Sequence, residues 1–332
     1  MGATLKGCLG ASLLAVAATA AGSGSVVVVD APNNLGLRPP SPGVEPGARK
    51  LAETLRRTGL LERLHAADGG RVEAPRYSPH GDPATGFRNG TALARYSAAL
   101  ADRLAQSIGR GDFTLVLGGD CSVLLGSGVA LKRRGRYGLA FVDAHDDYTF
   151  PSNPATYRGH YAAAGLDLGL ATGHGAPALS NIEGLGPYFR ESDVVHIGLS
   201  REEGDAEYGD LAKFERSGIH ILDVGAIERR GADTVAREAR GRLEARELDG
   251  YWIHVDADVL DASIMPAVDS PNERGLTFEQ LSRLLATLIA SPKAVGLELT
   301  IYDPDLDPKG VHARGLADAI VRAFDESGRF PR

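Results

Sequence analysis

Cysteine is scarce in this chain. Cys8 and Cys121 are the only two among 332 residues, which excludes a disulfide framework. An excess of positive charge is also missing. Lys and Arg number 36 against 43 Asp and Glu, a net charge of -7, which argues against a nucleic-acid partner. The basic clusters Lys132-Arg133-Arg134 and Arg229-Arg230 are short and read as solvated helix ends or loops. No long, bulky hydrophobic run stands out. The Ala-rich stretch near the N-terminus is too short and too small in side-chain volume for a membrane span. Internal repeats and low-complexity linkers are absent by eye. Residues 1–24 read either as a signal peptide, with Lys6, a segment containing Leu13, Leu14 and Val16, and Ala18-Thr19-Ala20 as its cleavage site, or as a disordered extension. Residues 25–332 then form a single domain. The location is cytoplasmic, or exported if that segment acts as a signal.

What the chain does contain is enough apolar residue, 43%, to bury a large core. Strand-like runs alternate with helix-like ones. Val26 to Val29, Phe113 to Leu117, Gly138 to Val142, Val194 to Ile197, Ile219 to Leu222, Tyr251 to Val255 and Ala294 to Leu299 read as strands. Helices are expected over Ala48–Leu61, Asn89–Ile108, Ser122–Arg134, Gly231–Glu247, Thr277–Ile289 and Gly315–Phe324. Thr149 to Gly186 reads as an active-site loop around one short helix. Such alternation implies a parallel sheet with helices on both faces, and ligands at the carboxyl ends of its strands.

Three segments carry acidic and imidazole side chains just beyond such strands. They are Gly118-Gly119-Asp120-Cys121-Ser122, Asp143-Ala144-His145-Asp146-Asp147 and Asp256-Ala257-Asp258. Residues two apart on a strand share a side, so Asp143, His145 and Asp147 can face one way, and Asp256 and Asp258 likewise. Crowding four carboxylates in a buried cleft is unfavourable unless cations neutralise them. The pattern therefore points to a site for two divalent metal ions.

In this order and strand context, the three motifs resemble those of the arginase/agmatinase (ureohydrolase) superfamily, and the likeness continues through Met265-Pro266-Ala267 and Gly275-Leu276-Thr277. The resemblance implies a three-layer α-β-α fold with a mainly parallel sheet of about eight strands. It implies that Asp143 and Asp256 bridge two metals, that Cys121 and Asp147 complete the first set of ligands, and that His145 and Asp258 complete the second. The expected metals are two Mn²⁺. The expected reaction is hydrolysis of a linear C–N bond in a guanidino or amidine compound, with a metal-bridging hydroxide as nucleophile. His160 and Asp147 are the catalytic positions, His160 matching the family's proton-shuttling loop histidine; His174 is its rival. The partner is a small molecule, with no nucleic acid or membrane, and family members commonly assemble as trimers or hexamers.

The sequence departs from the family pattern twice. Cys121 stands where most members have histidine. As a ligand it would be a thiolate, favouring Zn²⁺, Fe²⁺ or Co²⁺ over Mn²⁺; otherwise it is a small buried hydrophobe beside a weakened site. Ile301 stands three residues before Pro304, where members that bind guanidinium groups carry glutamate. An isoleucine cannot pair with a cation, which points to a less basic substrate, such as an N-hydroxyguanidine or another amidine. Glu298 lies close by, but strand alternation turns it the other way, and it reads equally as a group that supports the ligands from behind. Two further readings stand beside the ureohydrolase. One is a single-zinc amide hydrolase of related architecture, disfavoured by the paired motifs. The other is a metal-binding family member with weakened catalysis. Asp30, Asp120 and Asp146 are expected to cap loops or orient ligands, His254 to support ligands, and Phe150, Tyr157, Tyr161 and Tyr302 to wall the pocket.

Overall fold

The computed structural model describes residues 24–150, 160–200 and 211–330. The N-terminal segment read as a signal or extension, apart from residue 24, lies outside the described residues, as does Tyr157. Ten strands are described: β1 (Val26–Asp30), β2 (Ala67–Arg71), β3 (Gly81–Asp82), β4 (Phe87–Arg88), β5 (Phe113–Leu117), β6 (Tyr137–Val142), β7 (Val194–Ile197), β8 (His220–Leu222), β9 (Gly250–Asp256) and β10 (Ala294–Thr300). Eight form one sheet in the order β2-β1-β5-β10-β9-β6-β7-β8, with every pairing parallel. β3 and β4 make a separate antiparallel hairpin.

The expected three-layer arrangement is what the chain adopts. Successive residues of β1 go to opposite faces: Val26 and Val28 join one core, Val27 and Val29 the other. Helices Leu51–Arg56, Ala232–Glu244, Phe278–Ile289 and Val311–Ser327 contribute to the first core, and Gly90–Arg110 and Val123–Lys132 to the second. Covered on both faces, the central strands read as continuous apolar runs, which is why they were visible in the sequence.

The differences have local causes. β2 is Ala-Asp-Gly-Gly-Arg, an edge strand with no buried residue, so it carries no hydrophobic pattern. The helix expected over 48–61 is broken into Leu51–Arg56 and Leu60–Arg63 by Gly59, whose φ is +74°. The long loop holds two short helices in its described part, Asp167–Ala171 and Pro177–Ser180, where one was expected. Among the described residues no helix is long and apolar enough to cross a membrane.

Candidate metal centre

β5, β10, β9 and β6 are contiguous in the sheet, so their carboxyl ends meet although they lie far apart in the chain. Register aligns them, with Leu117 opposite Leu299, Thr300 opposite Asp256, and Val142 opposite Val255. The Gly118-Gly119 pair leaves β5 under the neighbouring backbone. A Cβ on Gly119 would lie 1.7 Å from the carbonyl oxygen of Asn33, and one on Gly118 would lie 2.8 Å from that of Leu299. Asp120 then pins the turn, accepting from the backbone amides of Gly36 at 2.8 Å and Ser122 at 2.9 Å. Asp146 does the same after β6, accepting from Tyr148 N, and Asp30 pairs with Arg56 at 2.8 Å. Asp120 and Asp146 thus cap loops, as expected from the sequence, whereas Asp30 ties the end of β1 to the helix residue Arg56.

Asp143, His145 and Asp258 come together with donor atoms all within 4.8 Å of one another. His145 Nδ1 is 3.1 Å from one oxygen of Asp258 and 3.7 Å from one of Asp143. Each motif turns on its own first aspartate: Asp143 accepts from the amide of His145 at 2.7 Å, and Asp256 from that of Asp258 at 2.8 Å. The second oxygen of Asp143 and one oxygen of Asp258 are buried with no hydrogen-bond partner. Asp147 takes a left-handed backbone, φ +42°, and lines the cleft above with His145, Asp256 and Asp258.

The electrostatics match this crowding. Burial, then repulsion from Asp258, pushes the Asp143 carboxyl well above its usual range. Burial and Asp143 do the same to Asp147, and burial and Asp258 to Asp256. Burial alone would lower His145, but Asp258, Asp143 and Asp147 outweigh it and lift the imidazole to about 10. Burial, then Asp256, drives the Cys121 thiol up. Without a counter-ion these groups hold protons to limit their repulsion, and a divalent cation can replace those protons. The orphaned oxygens and the carboxylate–imidazole donor set fit hard or borderline divalent ions.

The rest of the cleft is lined by Leu37, Arg38, Ala162, Ala164, Asp269 and Ile301, among others. Burial raises Asp269, while the Arg38 guanidinium partly offsets the rise. Ile301 is buried with φ +69°, a left-handed conformation unusual for a β-branched residue. His160 packs against Gly81, where a Cβ would lie 1.8 Å from its ring, and is not among the cleft-lining residues. His174 is bonded to Glu191 at 2.8 Å and edge-on to Tyr148. Among the aromatics expected to wall the pocket, Tyr161 packs on Phe87 and Phe150, and Tyr302 is bonded to Asp307. Their rings pack inward and do not line the cleft.

The model of the Arginase family matches residues 25–324. Arginase from Bacillus caldovelox is 31% identical over 309 residues, spanning 91% of this chain and 98% of that protein. Human arginase-1 is 26% identical, with 86% of each chain covered. The native structure of the Bacillus caldovelox arginase superposes with a TM-score of 0.77 at 26% identity, covering 93% of this chain and 99% of that one.

The chain belongs to the Arginase family. It is a metal-binding hydrolase of that family, in which manganese is typical and relatives act on C–N bonds. Within this family member, a second donor group lies deeper. Cys121, Asp167 and His254 bring one sulfur, one oxygen and one nitrogen within 4.8 Å of each other, all buried. Cys121 Sγ also lies 2.8 Å from Asp256 Oδ2 and 3.0 Å from the Thr300 hydroxyl. His254 is held by Glu298 at 2.7 Å, which accepts from the Ser127 hydroxyl at 2.5 Å. Glu298 therefore supports His254 and does not reach the cleft.

Sequence reasoning missed Asp167 and His196. His196 Nε2 donates to the carbonyl of His145 at 2.7 Å and so steadies the loop bearing that ligand. Burial lowers the His196 pKa to about 4, keeping the ring neutral. Asp167 had a signal: it is the lone charge in the otherwise apolar run from Ala162 to Ala171. A single carboxylate inside such a run is a candidate for a buried functional group.

Proposed function

We propose that this chain is a metal-dependent hydrolase cleaving a linear C–N bond in a guanidino or amidine compound. The observation that carries it is the meeting of Asp143, His145 and Asp258 at the cleft floor, with unpartnered buried oxygens on both aspartates. The arginase relatives support the reaction class. Asp143, His145, Asp147, Asp256 and Asp258, with Cys121, are the residues that would hold two divalent ions, Mn²⁺ foremost. Bound there, the ions would neutralise the carboxylates and acidify water at neutral pH.

The chain's own groups do the rest. Arg38 and Asp269 present opposite charges at the cleft and can orient a substrate carrying a carboxylate and an amine. Ile301 offers an apolar surface with no counter-charge, which favours a weakly basic reacting group. An N-hydroxyguanidine meets that requirement better than a fully cationic guanidine. His160, the match to the family's loop histidine, is assigned the proton delivered to the departing nitrogen, a role that requires its ring to turn from Gly81 toward the cleft. Residues 25–332 act as one catalytic unit.

The test is a panel of guanidino, N-hydroxyguanidino and amidine compounds offered to the Mn²⁺-loaded chain, with urea and amine release as readout. Turnover of one class supports the proposal. Bound metal with no turnover across the panel replaces it with a metal-binding, non-catalytic family member.

A further inference from the structure

We propose that Asp167 and His254, together with a Cys121 shared with the two-metal set, form a further cation site beneath the cleft, taking a borderline-soft divalent ion of the Zn²⁺ or Co²⁺ class. It rests on reading this end of the sheet as a metal centre, but not on any particular substrate. Neither Asp167 nor His254 belongs to the ligand set implied by the family motifs.

The geometry is that of a binding site lacking its centre. His254 Nε2 and Asp167 Oδ2 are 3.8 Å apart, too far for a hydrogen bond. Both atoms are buried and without a partner. Leaving two such groups unsatisfied is costly, and a proton shared between them would require a shorter contact. An edge of roughly 3.5 Å is what a tetrahedral ion with bonds of about 2.0–2.3 Å spans between ligands.

The imidazole is also oriented for the task. Its Nδ1 is bonded to Glu298 at 2.7 Å, and its ring stacks on Phe141 with centroids 4.6 Å apart and planes within 7°. A carboxylate on one imidazole nitrogen commonly fixes the ring so that the other nitrogen can ligate a metal. Among the three donors a thiolate and a carboxylate carry two negatives against the two positives of a divalent ion, and the buried carboxylates Glu298 and Asp256 lie beside them. The thiol proton leaves as the ion enters, a net gain of one positive charge that the surrounding buried carboxylates meet. The sulfur, oxygen and nitrogen donors suit zinc or cobalt better than manganese.

The experiment loads the full chain with Co²⁺ and records its spectrum together with metal content after gel filtration. The expected result is a near-ultraviolet thiolate-to-cobalt charge-transfer band, abolished in Cys121→Ser. Asp167→Ala should bind one ion fewer and lose most of the band. Asp258→Asn, which strikes the open group, should keep it. Added Zn²⁺ should erase the band, and equimolar Mn²⁺ should not. Cobalt bound to the wild type without that band overturns the proposal, and this spectrum needs no variant to fold. A band and stoichiometry unaltered in Asp167→Ala also overturn it. The expected spectra with no turnover on the guanidino panel would sink the activity and leave this site standing.

Discussion

Nδ1 of His254 lies 2.7 Å from a carboxylate oxygen of Glu298, at registered positions on the adjacent strands β9 and β10. Both side chains are fully buried. The pair sets which imidazole nitrogen is free to face the centre. Glu298→Gln should therefore lower divalent-ion affinity by about 10–100-fold, the usual effect of disturbing a ligand's support. Isothermal titration with Co²⁺ or Zn²⁺ measures it. Wild-type affinity in that variant would make Glu298 a packing residue only.

Ile301 gives a direct handle on substrate choice. It lines the cleft and takes a backbone conformation that costs on the order of 1–3 kcal/mol for a non-glycine residue. Ile301→Glu should raise kcat/KM for a cationic guanidine at least about tenfold relative to an N-hydroxyguanidine, as expected for a desolvated charge pair. Paired kinetics on the two substrates decide it. An unchanged ratio would mean that this wall does not read substrate charge.

Metal binding should depend on pH with a defined sign. Asp143, Asp147 and Asp256 have folded pKa values raised above the ordinary 3.8 by burial and mutual repulsion. Their contribution to stability is full below that ordinary value and is lost as pH rises through the raised ones. Cations take the place of those protons, so the rise in Tm on adding Mn²⁺ should grow from acid toward neutral pH. The underlying stabilisation should approach about 2.7 kcal/mol for each ion present at a hundred times its Kd. Scanning calorimetry with Mn²⁺ or with chelator across that range provides the check; a gain independent of pH contradicts it.

Gly119 tests the turn that carries Cys121. Its absent Cβ leaves room for the Asn33 carbonyl, which would lie 1.7 Å from an added methyl group. Because the obstruction is backbone, Gly119→Ala should destabilise the fold by about 1–3 kcal/mol or more and lower metal content with it. Urea unfolding and elemental analysis would report both. A variant of native stability would show that the loop at Asn33 yields freely.

Much of this centre was legible because its parts are short and sit at strand ends. Buried parallel strands announce themselves as apolar runs, and the aspartates beyond β5, β6 and β9 follow them directly. The fold class and the family likeness came from the same segments. Less legible was whatever depends on register between distant strands. Glu298 was known to turn away from the cleft, but its contact with His254 requires β10 to lie beside β9. Asp167 comes from a short helix outside the sheet, so no strand pattern marked it. The roles expected for Tyr161 and Tyr302 failed because aromatic rings near a loop find packing partners as readily as ligands. β2 escaped notice because an exposed edge strand needs no apolar residues.

The order of strands has a bearing on how the protein comes into being. β10 is the final strand in the sequence, yet it occupies the gap between β5 and β9. A nascent chain that has emerged only to residue 290 already carries every aspartate and histidine of the metal centre, but β5 and β9 then have no spacer to set their separation. Bringing Cys121 beside Asp256 accordingly waits for the C-terminal strand, whereas Asp143, His145 and Asp258, at the ends of the directly paired β6 and β9, need no such spacer.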